Sequence, residues 1–407
     1  MALAAAALSG CMAVSPEAPA DVDKDGKDMT AEGVLDGSSG LYVTAISFDE
    51  GYDWQRDTAF GLAYGRLEVY KMDKLMLSIP AGKGTEVSLD PDKHHLIDGH
   101  IYTEYTYRDS TVIKRDGKEF LRYGTAESIK GIIIRDEDFF TLGQHIGGKG
   151  GLSLRRNGIA LVENDTGFIL GSFADPSYLQ TGALYEDNGI MYFSFYTSFS
   201  EDSPTTERHW YLVKNQTISE VWLEKDITEI YDMRMIGGKL CRIVTCSVNS
   251  GPIMDIGGTR FSLSRSLEGG IADDYRLIAS NGLPYMVGSY YYLWETKPRY
   301  SALWSSGGSK MVFEGRLLSI CTDSDGVTSL ILGGNDGRVN IAQPSGYGQK
   351  LSGEVNFISP ACAASHDGEV YVLFRPGAVS DKPYLWSRKG ILEYDINGML
   401  TSVSEVK

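Results

Sequence analysis

Residues 237–246 read GGKLCRIVTC, and the pattern of a tight turn followed by an apolar strand returns as NGLPYMVGSYYY at 281–292, DGVTSLIL at 325–332 and DGEVYVLF at 367–374. Asp, Asn and Gly tolerate the positive φ angles of two-residue turns, and the β-branched and aromatic residues after them favour strands. The turns at 238, 282, 326 and 368 lie 44, 44 and 42 residues apart. This period is typical of a four-stranded propeller blade.

The turn-and-strand pattern extends over the rest of the chain. Earlier turns lie at Ser39-Gly40, Asp98-Gly99 and Asn188-Gly189, with Asp136 to Asp138 between the last two. Each turn precedes one of eight predicted strands: Leu41–Phe48, His100–Tyr107, Phe139–Gly143, Ile190–Tyr196, Lys239–Cys246, Leu283–Trp294, Val327–Leu332 and Glu369–Phe374. Several units add a later hairpin, with turns predicted at Asp116-Gly117, Asn157-Gly158 and Asn397-Gly398.

These repeats predict an all-β fold, a β-propeller of four-stranded antiparallel blades over residues 40–407. A β-sandwich would not show a superperiod near forty residues. Eight units are counted, and seven blades remain the alternative because the first unit lacks an inner strand and the third is short. Since a ring must cover its sheet edges, we expect it to close with the N-terminal strand beside the last hairpin.

Composition restricts the partners. The formal net charge is -16 and no basic run occurs, so we do not expect nucleic-acid binding, which needs clustered Lys and Arg. The same acidity disfavours electrostatic attachment to anionic lipid. Any membrane attachment is therefore expected to be covalent.

The N-terminus offers such an attachment. Met1 to Cys11 is a small-residue apolar stretch that ends in Leu8-Ser9-Gly10-Cys11, which resembles the lipobox of bacterial lipoprotein signal peptides. The resemblance implies a signal peptide over 1–10 and lipidation of Cys11. No Lys or Arg precedes Cys11, which a start codon assigned too far downstream would explain. Met12, in place of the Asp associated with inner-membrane retention, favours the outer membrane and leaves the membrane face open.

Residues 11–39 are Pro-, Ala- and Asp-rich and lack apolar periodicity, so we predict a flexible acidic tether. Within it, alternate acidic residues before a glycine match the spacing of an EF-hand calcium loop: Asp21, Asp23, Asp25 and Glu32. No amphipathic helix flanks this stretch. The alternative is a solvated acidic spacer.

The remaining residues show no catalytic constellation. Cys241, Cys246, Cys321 and Cys362 are predicted to be buried free thiols, since no metal-binding spacing occurs among them. No histidine is expected within a cluster of carboxylates. We therefore assign no catalytic residue and expect no cofactor, apart from calcium in the tether.

Irregular spacing between early units points to inserted loops at 49–65 and 200–209. Loops carry function more often than the elements they join, so the candidate ligand contacts are Tyr52, Trp54, His209 and Trp210. The sequence thus favours a cell-envelope lipoprotein that binds a glycan, a peptide or an envelope protein, with no enzymatic activity. The alternative is a polysaccharide-active hydrolase or lyase with a carboxylate site at the propeller channel.

Overall fold

The computed structural model describes residues 31–54, 63–82, 85–135, 137–146, 152–164, 168–169, 184–187, 190–197, 208–214, 217–221, 224–246, 249–262, 270–292, 300–334, 338–344, 346–352, 363–374 and 382–407. These residues form 34 strands and one short 3-10 helix, Pro91–Lys93. No helix among them is long and apolar enough to cross a membrane.

The strands form eight antiparallel sheets, numbered here in chain order. Sheet 1 holds β1 (Glu32–Gly33), β2 (Gly40–Ser47), β3 (Tyr64–Lys71), β4 (Lys74–Gly82) and β34 (Gly398–Val406). Sheet 2 holds β5 (His94–Ile97), β6 (His100–Tyr107), β7 (Ser110–Arg115) and β8 (Lys118–Tyr123). Sheet 3 holds β9 (Glu127–Arg135), β10 (Asp138–His145), β11 (Leu152–Arg156) and β12 (Ile159–Asn164). Sheet 4 holds β13 (Phe168–Ile169), β14 (Leu184–Asp187), β15 (Ile190–Thr197), β16 (Arg208–Lys214) and β17 (Thr217–Glu220).

The second half of the chain repeats this arrangement. Sheet 5 holds β18 (Ile227–Ile236), β19 (Lys239–Cys246), β20 (Asn249–Ile256) and β21 (Thr259–Ser262). Sheet 6 holds β22 (Gly270–Ser280), β23 (Leu283–Tyr292), β24 (Tyr300–Ser305) and β25 (Lys310–Glu314). Sheet 7 holds β26 (Arg316–Thr322), β27 (Thr328–Gly333), β28 (Arg338–Gln343) and β29 (Gly346–Ser352). Sheet 8 holds β30 (Ala363–His366), β31 (Glu369–Phe374), β32 (Tyr384–Ser387) and β33 (Gly390–Glu393).

Six sheets have four strands and two have five, so the predicted four-stranded antiparallel unit is confirmed. In sheet 4 two short strands, β13 and β14, take the place of a single first strand, because they pair with different halves of β15. In sheet 1 the fifth strand is an addition, because β1 pairs with the outside of β4.

Six of the predicted two-residue turns are present. Both residues have positive φ at Asp98-Gly99, Asp116-Gly117, Asn157-Gly158, Gly237-Gly238, Asn281-Gly282 and Asp367-Gly368. This geometry matches the right-handed twist of the flanking strands. At Asp325-Gly326 only the glycine has a positive φ, within a longer turn that the Asp323 amide closes by donating to the Val327 carbonyl, and Gly40 is the first residue of β2. Three predicted strands agree with the observed bounds, namely β6, β19 and β31. The predicted turn at Asn188-Gly189 lies outside the described residues.

One predicted hairpin is wrong. Gly398 does not turn the chain back onto β33 but begins β34, which pairs with β2 along its whole length. The Asn397 side chain donates hydrogen bonds to the carbonyls of Asp49 at 2.6 Å and Tyr52 at 3.1 Å, which fixes the chain as it enters sheet 1. The C-terminus therefore supplies the strand that the first unit lacked.

The core lies between neighbouring sheets. Ile278 and Val287 of sheet 6 pack with Leu317 and Leu330 of sheet 7, and equivalent apolar clusters join the other neighbours. Sheet 8 packs on sheet 1 through Tyr371, Leu385, Val43 and Leu400, and sheet 1 packs on sheet 2 through Leu77 and Ile101. Sheets 3 and 4 meet through β9 and β14. Each sheet thus contacts the next and the last contacts the first.

Different strands of each sheet lie at the centre and at the rim of the ring. The first strands of successive sheets contact one another, as in β14 with β18, β18 with β22, β26 with β30 and β30 with β34. Sheets 2 to 8 therefore converge at their first strands, which lie towards the centre, while their last strands lie at the rim. In sheet 1 the innermost strand is β34 and the outermost is β1.

Residues 31–39, assigned above to the tether, belong to the folded part of the chain. The Val34 amide donates to the carbonyl of Met76, and Leu35 is 4% exposed within the sheet 1 core. The physical reason is that the outer edge of β4 accepts a further strand.

Replacing Gly398 tests the ring closure. A Cβ at Gly398 would lie 1.9 Å from the carbonyl oxygen of Ile46, so Gly398→Ala must push β34 away from β2. We expect a loss of about 2 kcal/mol or more in the free energy of unfolding, measured with urea. Gly124 is the matched control because a Cβ there meets nothing within 4 Å, so Gly124→Ala should change stability by less than about 0.5 kcal/mol. Equal stability of the two variants would contradict a structural role for this closure.

Candidate functional site

A group of polar side chains lies where sheets 2 and 3 converge, and we call it the inner-strand cluster: Lys93, His94, His95, Glu104 and Lys130. The local sequence positions it. Asp90 caps the 3-10 helix by accepting the amide of Asp92, and the helix delivers Lys93 and the two histidines to the start of β5. Glu104 lies on the neighbouring strand β6, and Lys130 on β9 of the next sheet.

Glu104 is buried between the two sheets. Its side chain is 2% exposed, and its Oε2 accepts the amide of Ile129 on β9 at 2.5 Å. Its Oε1 has no hydrogen-bond partner and lies 4.0 Å from the Lys93 ammonium. Burial raises the pKa of Glu104 from 4.5 to about 7, against the opposing effects of Lys93, the Ile129 amide and Lys130.

His95 shares the Glu104 face of sheet 2. It pairs with Tyr102, two residues from Glu104, and alternate residues of a strand point to the same face. Burial lowers the His95 pKa to about 4, with further lowering by His94 and Lys130. Its buried Nε2 has no hydrogen-bond partner. His95 is therefore neutral near pH 7.

His94 points to the opposite face. Its Nε2 lies 2.7 Å from the carbonyl oxygen of Ser88, and burial lowers its pKa. His94 consequently belongs to the packing between sheets 1 and 2. The Glu104 face alone combines a carboxyl that titrates near neutral pH with a neutral imidazole, which are groups able to hold a polar ligand or transfer a proton.

A second polar cluster lies at the start of β9, two residues before Ile129. Glu127 is fully buried, and its Oε1 accepts Ser153 Oγ at 2.5 Å and Arg155 Nη2 at 2.7 Å. Its Oε2 accepts Tyr123 OH at 3.1 Å, which together with burial raises the Tyr123 pKa. Arg155 also donates to Glu163 at 2.9 Å. Burial disfavours the charged guanidinium, but Glu127 and Glu163 outweigh that cost and raise the Arg155 pKa.

His145 joins this cluster, so the expectation of no histidine among carboxylates is wrong. Its Nε2 lies 3.4 Å from Glu127 Oε1 and 3.8 Å from Glu163 Oε1. Strand pairing places it there, because Glu127 and His145 are register partners although 18 residues separate them. Sequence spacing alone carries no signal for such a contact.

The three ligand atoms of Glu127, His145 and Glu163 lie within 4.8 Å of one another, a spacing that suits a metal ion. Arg155 Nη2, however, lies 2.7 and 2.9 Å from the same two carboxylate oxygens. The guanidinium supplies the positive charge that a cation would bring. The arrangement is therefore a buried ion-pair network that joins sheet 3 to sheet 2.

The predicted aromatic contacts lie apart from both clusters. Trp54 is 2% and Trp210 3% exposed, so protein covers their ring faces, and the Trp210 Nε1 donates to the Ile230 carbonyl. Tyr52 is partly buried against Phe48. His209 lies on β16 opposite Phe195, and its side chain is outside the described part. Trp54 and Trp210 are therefore packing residues in this structure. Ligand contact by the four predicted residues stays a prediction.

Most of the predicted anchor and calcium residues, Cys11, Asp21, Asp23 and Asp25, lie outside the described residues. Glu32 lies on β1 with an exposed side chain, 3.3 Å from Arg66 Nη2. Cys241, Cys246 and Cys321 are buried free thiols, as predicted, and Cys362 lies outside the described residues.

No family model and no curated protein matches the chain. Solved structures do. Dihydro-heme d1 dehydrogenase NirN in complex with DHE is 11% identical, covers 95% of this chain and 79% of its own, and has a TM-score of 0.50. Apo AztD from Citrobacter koseri is 10% identical over 91% and 98% of the two chains, with a TM-score of 0.48. The WD40 beta propeller domain of Doa1 is 9% identical over 70% and 91%, with a TM-score of 0.38. Identities this low show the fold alone, and the fold is a β-propeller.

Arg155→Met tests the ion-pair network. The change leaves Glu127 buried without its guanidinium, so we expect the free energy of unfolding to fall by about 3–5 kcal/mol. The matched control is Arg122→Met, because Arg122 pairs with Glu119 on the surface, where a pair contributes at most about 1 kcal/mol. Adding Glu127→Gln to Arg155→Met should restore part of the loss. A loss no larger than that of the surface control would refute the network's structural role.

The raised pKa of Glu104 predicts a pH-dependent stability. The folded chain holds this proton up to about pH 7, whereas the unfolded chain releases it near 4.5. The Glu104 contribution is therefore fully present below pH 4.5 and is lost as the pH rises through 7. The unfolding free energy of the wild type, relative to Glu104→Gln, should fall by about 3 kcal/mol across this window. His95 titrates with the opposite sign but is present in both proteins. A difference that does not change with pH would contradict the burial of a protonated carboxyl.

Proposed function

We propose that this chain is a lipid-anchored protein of the bacterial cell envelope, in which an eight-bladed propeller binds a glycan, a peptide or an envelope protein. The eight sheets in closed contact support eight blades over seven. The Leu8 to Cys11 lipobox supports the anchor at Cys11, and Met12 supports the outer membrane.

The observation that carries this proposal is the path of the N-terminal segment. β1 pairs with β4 at the rim of the ring, opposite the edge where first strands converge. Among the described residues, the N-terminal segment therefore joins sheet 1 at the rim and does not cross the centre, where we place the ligand. Nineteen residues lie between Cys11 and Ala31, and the chain from one to the other spans at most about 70 Å when extended. A tether of that length gives the ring access to ligands away from the membrane surface.

A second candidate function is a hydrolase or lyase acting on polysaccharide. Glu104 favours it, because a buried carboxyl with a pKa of about 7 suits a general acid. Glycoside hydrolysis also requires a second carboxylate about 5–9.5 Å away across the substrate. Asp90, which raises the Glu104 pKa through its charge, is the nearby carboxylate that could take this part.

Fractionation tests the anchor. The wild type expressed in a bacterial host should partition with outer-membrane fractions and incorporate labelled fatty acid, while Cys11→Ala should be released and unlabelled. Cys321→Ala is the control, since that thiol is buried in the fold, and it should behave as the wild type. Wild type without lipid would refute the anchor.

Ligand screening tests the binding function. The purified chain would be incubated with envelope glycans and with solubilised envelope proteins, and release of reducing ends would be followed in the glycan arm. Binding without reducing ends supports a binding protein. Turnover that Glu104→Gln abolishes would replace that function with the hydrolase. Binding in neither arm would overturn the proposed function.

A further inference from the structure

We propose that the inner-strand cluster is a binding site for a neutral sugar, held by hydrogen bonds from its hydroxyl groups to Glu104 and His95. The site deepens the proposed function and rests on it, because it places the ligand of a binding propeller at a named position. Lys93 and Lys130 border the site and supply further hydrogen-bond donors.

The first observation that supports this site is that Glu104 Oε1 has no hydrogen-bond partner. Asp232 makes the same kind of link between sheets 5 and 6 that Glu104 makes between sheets 2 and 3: its Oδ2 accepts the amide of Leu277 at 2.7 Å. The other oxygen of Asp232 accepts the amide of Met233 at 2.8 Å. In Glu104 the second oxygen is left without a hydrogen bond, although the side chain is equally buried. The link between sheets 2 and 3 therefore accounts for the burial of Oε2, which accepts the Ile129 amide, but not for the burial of Oε1.

The second unpartnered atom, His95 Nε2, is on the same face of the same sheet. A carboxyl oxygen and a neutral imidazole nitrogen on one face of a sheet suit hydroxyl groups, each of which donates one hydrogen bond and accepts others. Buried polar atoms normally have partners, and leaving two of them unsatisfied costs stability. A sugar ring carries several hydroxyls, so one ligand can offer a partner to each of these atoms.

The local charges favour a neutral ligand. The ammonium groups of Lys93 and Lys130 are balanced by two carboxylates, Asp90 and Asp92. The charge of Asp90 adds to the effect of burial in raising the pKa of Glu104. Burial and the charge of Asp90 raise the pKa of Asp92, against the opposing charge of Lys130. A site with nearly balanced charge gives neither an anion nor a cation a strong advantage. The net charge of -16 further disfavours polyanions.

The position of the cluster gives access. β5 and β9 are the first strands of their sheets, at the edge that faces the centre of the ring, and all four residues of β5 are only partly buried. The Lys93 side chain is 27% exposed and Lys130 is exposed, so both reach solvent beside the buried carboxyl. The proposed ligand would reach Glu104 from this solvent-accessible side, past Lys93 and Lys130.

An oligosaccharide array tests the site. The full chain would be applied to an array that carries neutral hexose and N-acetylhexosamine oligomers beside uronic-acid oligomers. We expect binding to neutral oligomers, and a loss of affinity of about tenfold or more in Glu104→Gln, which corresponds to one hydrogen bond to a carboxyl group. Glu163→Gln is the matched control, since Glu163 is a partly exposed carboxylate of the saturated cluster, and it should bind as the wild type. Melting temperatures identify any variant that fails to fold.

Lys130→Met keeps the test decisive if Glu104→Gln is unstable, because Lys130 is an exposed residue on β9 and its loss should weaken binding about threefold to tenfold without unfolding. Binding to neutral oligomers that neither variant weakens would overturn this site and leave the proposed function intact. Preferential binding to uronic-acid oligomers would overturn the neutral ligand. Binding to an envelope protein with no glycan binding would overturn the sugar site alone.

Discussion

The pairing of β2 with β34 is the constraint on which the rest of the structure depends. It joins residues 40–47 to residues 398–406, and Thr44 reinforces it from the middle of β2 through side-chain hydrogen bonds to Thr401 at 2.7 Å and Ser402 at 2.5 Å. Each sheet buries its faces against its two neighbours, so a ring that opened here would expose the apolar faces of sheets 1 and 8 to water. Closure therefore holds every other interface in place, including the seam that contains Glu104.

Along those seams, buried acidic residues join neighbouring sheets in two different ways. The carboxylate of Glu127 accepts hydrogen bonds from Ser153, Arg155 and Tyr123. Both oxygens of Asp232 accept hydrogen bonds from backbone amides. Such groups fix the register of one sheet against the next, because a shift would leave a buried charge without partners. Glu104 makes the same contact between sheets with its Oε2, but its Oε1 has no hydrogen-bond partner. The burial that raises the pKa of Glu104 also makes its Oε1 destabilising to the fold, because a buried oxygen without a hydrogen bond has lost its contacts with water.

Local signals account for the part of the fold that the sequence predicted. Asp98-Gly99 and Asp367-Gly368 adopt positive φ as predicted, since turn chemistry is a property of two residues, and the strands after them begin where the turns end. Asn397-Gly398 carries the same signal and was misassigned, because its partner strand lies some 350 residues earlier and no local rule favours it over β33. Both polar clusters were missed for the same reason: Glu104 approaches Ile129, and His145 approaches Glu163, through sheet packing and register that residue spacing does not record. The one available signal was the run Asp90 to His95, where a capped turn delivers charged residues and histidines to a short first strand.

The proposed anchor and the proposed binding site need different features of a propeller, and they lie at different distances from the centre of the ring. A tethered N-terminus needs a strand edge that accepts an added segment. The outer edge of β4 provides it, since that edge pairs with β1 and, among the described residues, with no strand of another sheet. A site needs polar groups held rigidly but not yet satisfied, and these are stable only where neighbouring sheets converge and exclude water from most of the side chain. At the rim such a carboxyl would be solvated, with an ordinary pKa and no gain from a ligand hydroxyl. Glu104 lies on the second strand from the centre with a buried side chain, while Lys93 and Lys130 of the same cluster reach solvent, and the proposed site requires both features.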